Sequence, residues 1–207
     1  MAHTTADPTT QWIEAFARHL DAGIPSIIEI HRHAQLHLQA GDEAAARRCE
    51  RLIYLLHNSQ VPAQCKLPRD TRFAYGGIGV VLHAAARFGN GVMIGQNVTI
   101  GGNGGKGKPD ASGRSFAIPR IGNHVYIAAG ARVLGGISIG DYTIIASNAV
   151  VLHDVPPFSV VAGNPANVRR TIGLDNALRY KDFFVFGKKK DEASYLDFIQ
   201  TELARLT

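Results

Sequence analysis

The side chains equipped for proton or acyl transfer are nine histidines and two cysteines. His83 stands out because it directly follows Leu82 at the end of an aliphatic run. If Leu82 points into a core, strand alternation turns its successor outward. An outward imidazole titrates near neutrality and takes a proton from a hydroxyl or amine nucleophile without a metal, so His83 is the candidate general base. His57, followed by Asn58 and Ser59 at a junction of helix and coil, is the reserve candidate. His33 and His37 have the i, i+4 spacing of a metal pair, but no third ligand accompanies them, and with His31 they read as a polar helix face. His124 and His153 read as solvent-facing. Cys49 and Cys65 form no Cys-x-x-Cys pair and no Cys/His constellation, and no Gly-x-Ser-x-Gly elbow occurs, which argues against a covalent protein nucleophile. Residues Gly101 to Gly107 are glycine-rich but lack the Gly-Lys-Ser/Thr ending and the following helix of a phosphate loop, so a flexible lid is expected there.

The element that must position His83 has an unusual period. Ile121, Ile127, Val133, Ile139, Ile145 and Val151 fall on every sixth position. Helices repeat apolar residues at 3.6 and half-buried strands at 2, so a step of six predicts a stacked solenoid of short strands and sharp corners. Small residues follow several of these aliphatics, as in Ile121-Gly122 and Ile127-Ala128, where a tight corner has little room. Leu67, Phe73, Leu82, Phe88, Ile94 and Ile100 continue the series upstream, with one step of nine between Phe73 and Leu82 that predicts a bulge. Between Ile100 and Ile121 one coil throws out an exposed loop. The prolines of Asp154-Val155-Pro156-Pro157-Phe158 are expected to end the repeat, because they supply no ladder donors.

The flanks read as helical. Trp12, Ile13, Phe16, Ala17 and Leu20 share one face of a first helix, Ser26 and Glu29 have capping-box spacing at the start of a second, and Cys49, Leu52, Ile53 and Leu56 stripe a third. The three are expected to pack together and on the open end of the solenoid, hiding its unpaired edge. Leu196, Ile199, Leu203 and Leu206 mark a terminal helix whose apolar seam packs either on its own chain or on a neighbour. Three regions result: residues 1–60 helical, 61–170 solenoid, and 171–207 a helical extension. A net charge of +5 over 207 residues suits an acidic small molecule; the cations are scattered, so nucleic acid is not indicated. No leader pattern or membrane span is read, and a cytoplasmic address is the expectation.

The stretch Ile94-Gly95-Gln96-Asn97-Val98-Thr99-Ile100-Gly101-Gly102, the hexads from Ile121, and Val160-Val161-Ala162-Gly163-Asn164-Pro165-Ala166 together resemble the hexapeptide-repeat acyltransferases. Within that family the chain is most similar to serine O-acetyltransferases and their shorter relatives, over about residues 61 to 170. The resemblance implies a mainly β fold, a left-handed parallel β-helix with an N-terminal helical cap and a C-terminal helix. It implies homotrimers with active sites in clefts between neighbouring coils, and acetyl-CoA (or another acyl-CoA) as cosubstrate without a metal. By matched position, the backbone at Ala129 and Ser147 faces the pantetheine arm and Gly102 and Gly163 flank it. Arg169 and Arg170 lie near the nucleotide phosphates, over which Lys106 or Lys108 closes.

The chain departs from serine acetyltransferases where their two catalytic histidines stand. Gly76 precedes Gly77-Ile78-Gly79-Val80-Val81, and Ile118 precedes Pro119-Arg120-Ile121. The run from Ala74 to His83 instead resembles a sub-group of small acyltransferases in which a histidine follows the aliphatic stretch. The resulting expectation is a coenzyme-A-dependent O-acetyltransferase acting on a small hydroxyl-bearing acceptor, an amino acid or sugar. His83 is its base, and Tyr75 orients the acceptor. N-acylation of an amine and a non-catalytic, acyl-CoA-binding or trimerising solenoid are the alternatives.

Overall fold

The computed structural model describes residues 7–21, 23–105, 107–109, 113 and 115–206, with the side chains of 18–21 outside the description. Short strands, most of two or three residues, stack in parallel into three faces. Val81–Leu82, Thr99–Gly101, Arg132–Leu134 and Val150–Val151 form the first face. The second holds Arg87–Phe88, Arg120–Ile121 and Ser138–Ile139. The third holds Arg72–Phe73, Met93–Ile94, Tyr126–Ile127, Ile144–Ile145 and Ser159–Gly163, and closes with the antiparallel strand Ala166–Thr171.

The register puts each period-six aliphatic on its equivalent one coil away. Leu82, Ile100, Val133 and Val151 form one column, and Phe73, Ile94, Ile127, Ile145 and Val161 another. Nearly all are fully buried in a single core. A ladder bond is worth ~1 kcal/mol net, whereas burying an aliphatic side chain is worth ~1.5–3 kcal/mol. Strands this short are therefore held chiefly by the plugs that fill the prism.

The corners are equally ordered. Where the third face turns into the first, Asn97 and Asn148 both adopt φ 57°, a left-handed conformation that asparagine tolerates. Each covers a glycine of the preceding coil: a Cβ on Gly79 would stand 2.0 Å from Asn97 Oδ1, and one on Gly130 would stand 2.1 Å from Asn148 Oδ1. At the corner between second and third faces, His124, Tyr142 and Phe158 also have positive φ. Their rings form a column, with centroids 5.3 Å apart for His124–Tyr142 and 4.8 Å for Tyr142–Phe158. His124 is thus half-buried rather than solvent-facing. Burial holds its pKa below the ordinary value, against the pull of Asp70, Asp141 and Glu202.

The irregular steps differ from their sequence expectations. The nine-residue step is a 3-10 turn, Ala74–Gly77, in which Tyr75 and Gly76 have φ 51° and 69°. The prolines do not end the coil. Val155 still bridges to Ile139, and Val160 and Val161 pair with Ile144 and Ile145. Pro156 and Pro157 fall between those contacts, where no ladder donor is required.

Helix α1 spans Pro8–Asp21, α2 Ile27–Gln39, α3 Glu43–His57 and α4 Glu192–Leu206. The Ser26/Glu29 capping box forms as expected at the start of α2. Ile27, Ile30 and Ile53 of α2 and α3 join the core with Val61, Val80 and Leu82 of the first coils. Helix α1 is a correction: Trp12 and Ile13 are 66% and 59% exposed, Trp12 stacks on its own neighbour Phe16, and none of the described α1 side chains is buried. The seam of α4 stays on its own chain, where Tyr195 and Ile199 bury against Tyr142, Ile144, Phe158 and Ile172 over the third face. No helix among the described residues is long and apolar enough to cross a membrane.

Candidate active site

The first face has two edges. Its entry edge lies where the chain arrives from the third face, and its exit edge where it leaves for the second. The residues singled out from the sequence divide between them.

Two residues past the plugs Ile94, Ile127, Ile145 and Val161 come Gln96, Ala129, Ser147 and Gly163, one above another along the entry edge. Asn97 N–H donates to Ile78 O, Gly130 N–H to Gln96 O, and Asn148 N–H to Ala129 O, at 2.8, 2.8 and 2.9 Å. These bonds extend the column down to Ile78. Among the described residues, the Ala129 and Ser147 amides themselves donate to no acceptor. Gly95 lets the Ala129 amide sit close, since a Cβ there would come within 2.6 Å of its nitrogen. The turn carrying Tyr75 precedes Ile78 on the same edge, and Tyr75 is 77% exposed. At the other end, the guanidinium of Arg169 lies over Gly163 and its Nε donates to Ala162 O at 3.3 Å. Arg170, the next residue of that strand, is exposed and pairs with Val160 across a register shift that leaves Arg169 as the bulged residue. Arg132, which the sequence reading missed, caps Gly130 O through Nη1 at 2.8 Å. Its signal was present: Arg132 precedes a plug, Val133, and so points outward beside the column.

His83 and Gly102 stand at the exit edge. His83 is exposed, donates its backbone N–H to Ile100 O, and accepts the Ala85 amide on its ring Nδ1 at 3.0 Å. A neutral ring held so carries its proton on Nε2, which makes it a hydrogen-bond donor. The ring nitrogen that carries the lone pair is thus engaged by the Ala85 amide, and Nε2 is the nitrogen left to face a ligand.

The loop between Ile100 and Ile121 follows the exit edge toward later coils. Lys108–Pro109 pairs with Ser115–Phe116, Asn103 packs on Gly135, and Lys108 forms an ion pair with Asp154. Lys108 is therefore tied to the coil, and the segment is a hairpin with a tether rather than a free lid. Lys106 lies outside the described residues.

The second imidazole lies by the entry edge. His57 ends α3 with 8% of its surface exposed, and its ring Nε2 donates to Pro25 O at 2.9 Å. Its carbonyl accepts the Gly79 amide, and Ser59 Oγ bonds to Gly77 O at 2.7 Å, so the junction grips the Ala74–Gly77 turn from within. A Cβ on Gly76 would stand 3.6 Å from His57 Nδ1. Among the described residues, no three His, Cys, Asp or Glu side chains gather as a metal site.

Comparison with known proteins fits this geometry. Residues 119–153 match the family described as bacterial transferase hexapeptide (six repeats). A serine acetyltransferase of Staphylococcus xylosus is 43% identical over 100 residues, which cover 47% of this chain and 42% of that protein. The chain thus spans less than half the length of that relative. A serine acetyltransferase of Brucella abortus solved with coenzyme A superposes with a TM-score of 0.62 at 28% identity, covering 70% of this chain and 55% of the other. The Neisseria gonorrhoeae enzyme in complex with serine gives 0.59 at 28%, covering 68% and 54%. Along its coil, the chain is a left-handed parallel β-helix of hexapeptide repeats that resembles the serine acetyltransferases.

Proposed function

We propose that this chain is an acetyl-CoA-dependent acyltransferase that moves the acetyl group directly to the hydroxyl of a small acceptor, an amino acid or sugar. The observation that carries this is the entry-edge column. From Ile78 to Gly163 it rises four coils, about 19 Å at ~4.8 Å per strand spacing. It offers two unengaged amides, Ala129 and Ser147, with Arg132 beside its middle and Arg169 at its upper end. An extended pantetheine arm lies along the column, its amides bonded to that backbone. Arg132 borders the arm at mid-column, and the CoA phosphates meet Arg169, whose guanidinium fork suits phosphate oxygens. The similarity to serine acetyltransferases, one of them solved with coenzyme A, supports the same placement.

In this proposal three copies associate, and the exit edge of a neighbour completes the cleft. His83 Nε2–H and Gly102 then border the ligand from that side, with His83 as a donor, and Tyr75 orients the acceptor from the entry edge. The acceptor oxygen attacks the thioester carbon, and a proton acceptor must receive its hydrogen as the carbon–sulfur bond breaks.

The test is calorimetric titration with acetyl-CoA, followed by an assay of free thiol with L-serine and then a pool of hydroxy acids, sugars and amines. Binding together with hydroxyl-dependent thiol release is expected. Thiol release with amines alone moves the reading to N-acylation, and binding without release makes the chain a non-catalytic acyl-CoA binder.

A further inference from the structure

We propose that His57 is the proton acceptor of the transfer, which rests on the acyltransferase reading above. Three independent features point to it. First, its ring is oriented as a base requires. Pro25 O can only accept, so the 2.9 Å bond fixes the proton on Nε2 and leaves the lone pair on Nδ1. His83 has the reverse arrangement.

Second, residue 76 is a glycine, so no side chain from that position covers the nitrogen. The nearest ring atom to a Cβ built on Gly76 is Nδ1, so residue 76 sits directly against it. Gly76 belongs to the turn that carries exposed Tyr75 at the foot of the entry-edge column.

Third, Gly76 borders a cavity of about 280 Å³ whose walls include Ser26, Arg69, Asp70, Thr71 and Arg72. Thr71 is buried there and its Oγ1 has no partner. Such a space takes a small polar acceptor, with guanidinium groups suited to a carboxylate. The acyl arm above, the acceptor space beside and the imidazole below converge on Gly76.

The step balances without a further reactant. His57 Nδ1 takes the acceptor hydroxyl proton, the oxygen bonds the acetyl carbon, and the carbon–sulfur bond breaks. The imidazolium then returns its proton to the thiolate, releasing CoA thiol and the ester.

The experiment compares wild-type, His57→Gln, His83→Ala and Gly76→Asn chains for acetyl-CoA affinity, kcat and the pH profile of kcat. Glutamine keeps a donor for Pro25 but has no basic nitrogen. His57→Gln is expected to keep acetyl-CoA affinity, lower kcat by about 10²- to 10⁴-fold and abolish the limb that rises with pH, whereas His83→Ala keeps that limb. His57→Gln turnover within a few-fold of wild type, with the limb intact, overturns His57 and leaves the acyltransferase reading standing. A wild-type chain that binds acetyl-CoA but releases no thiol overturns that reading itself, and this base with it. Should His57→Gln fail to fold, Gly76→Asn decides, because asparagine tolerates the left-handed turn and covers Nδ1. A loss of at least tenfold in kcat at unchanged affinity is expected, and unchanged kcat overturns the proposal.

Discussion

The Ala85 amide nitrogen donates to Nδ1 of His83, 3.0 Å away, and so decides which nitrogen of that ring faces outward with a proton. A side chain that only donates contributes one hydrogen bond, worth ~1 kcal/mol, and a tenfold change in rate corresponds to about 1.4 kcal/mol. His83→Ala is therefore expected to lower kcat/KM by about tenfold or less. Steady-state kinetics with acetyl-CoA checks this, and a loss of a thousandfold would return His83 to the role of base.

Gly130 makes a separate prediction about the coil. Its φ of 70° is strained for alanine, and a Cβ would collide with Asn148 Oδ1 at 2.1 Å. Gly130→Ala should cost about 1–3 kcal/mol in urea unfolding. Adding Asn148→Gly removes the collision but not the backbone strain, so the double variant should recover part of that loss and not all of it.

The period of six made the prism, its plugs and the exit of the loop legible, because each aliphatic must meet its equivalent in the next coil. The two edges of the first face were not legible in the same way. A step of nine shows that three residues are spare but not that they form a turn around Gly76, which His57 grips from a helix 17 residues upstream of that turn's start at Ala74. His83 was found by strand alternation, correctly as an outward residue, while the Ala85 bond that sets its tautomer leaves no mark on periodicity. Helix α1 misled because its Trp12, Ile13 and Phe16 stripe is amphipathic, and an apolar stripe does not say what covers it. His124 misled because its corner position is filled by a ring stack with residues 18 and 34 positions later.

Stability should rise with pH through the range below neutrality. Burial lowers the pKa of both His31 and His124 below the ordinary 6.5, so both stay neutral in the fold at pH values where the unfolded chain protonates them. Above 6.5 their contribution is complete, and it falls as pH drops toward the lowered folded values. Urea midpoints at pH 5 and pH 7.5 test the slope. His124→Asn should flatten it, and an unchanged slope in that variant would assign the effect elsewhere.

The Lys108–Asp154 pair predicts a local effect with little global consequence. The two side chains are 38% and 57% exposed, so the pair is worth less than ~1 kcal/mol to the fold. Asp154→Ala should leave the melting temperature nearly unchanged while speeding limited proteolysis between residues 102 and 117, read by mass spectrometry. Equal cleavage rates in both chains would mean that Asn103 and Phe116 hold the hairpin without the ion pair.

The most direct measurement is a crystal structure of the chain with coenzyme A. The account predicts the arm along the entry edge, bonded to the amides of Ala129 and Ser147, with its sulfur beside Gly76 and closer to Nδ1 of His57 than to Nε2 of His83 in the same chain. An arm seated along the exit edge of that chain, with those two amides unbonded and the sulfur at His83, would contradict it.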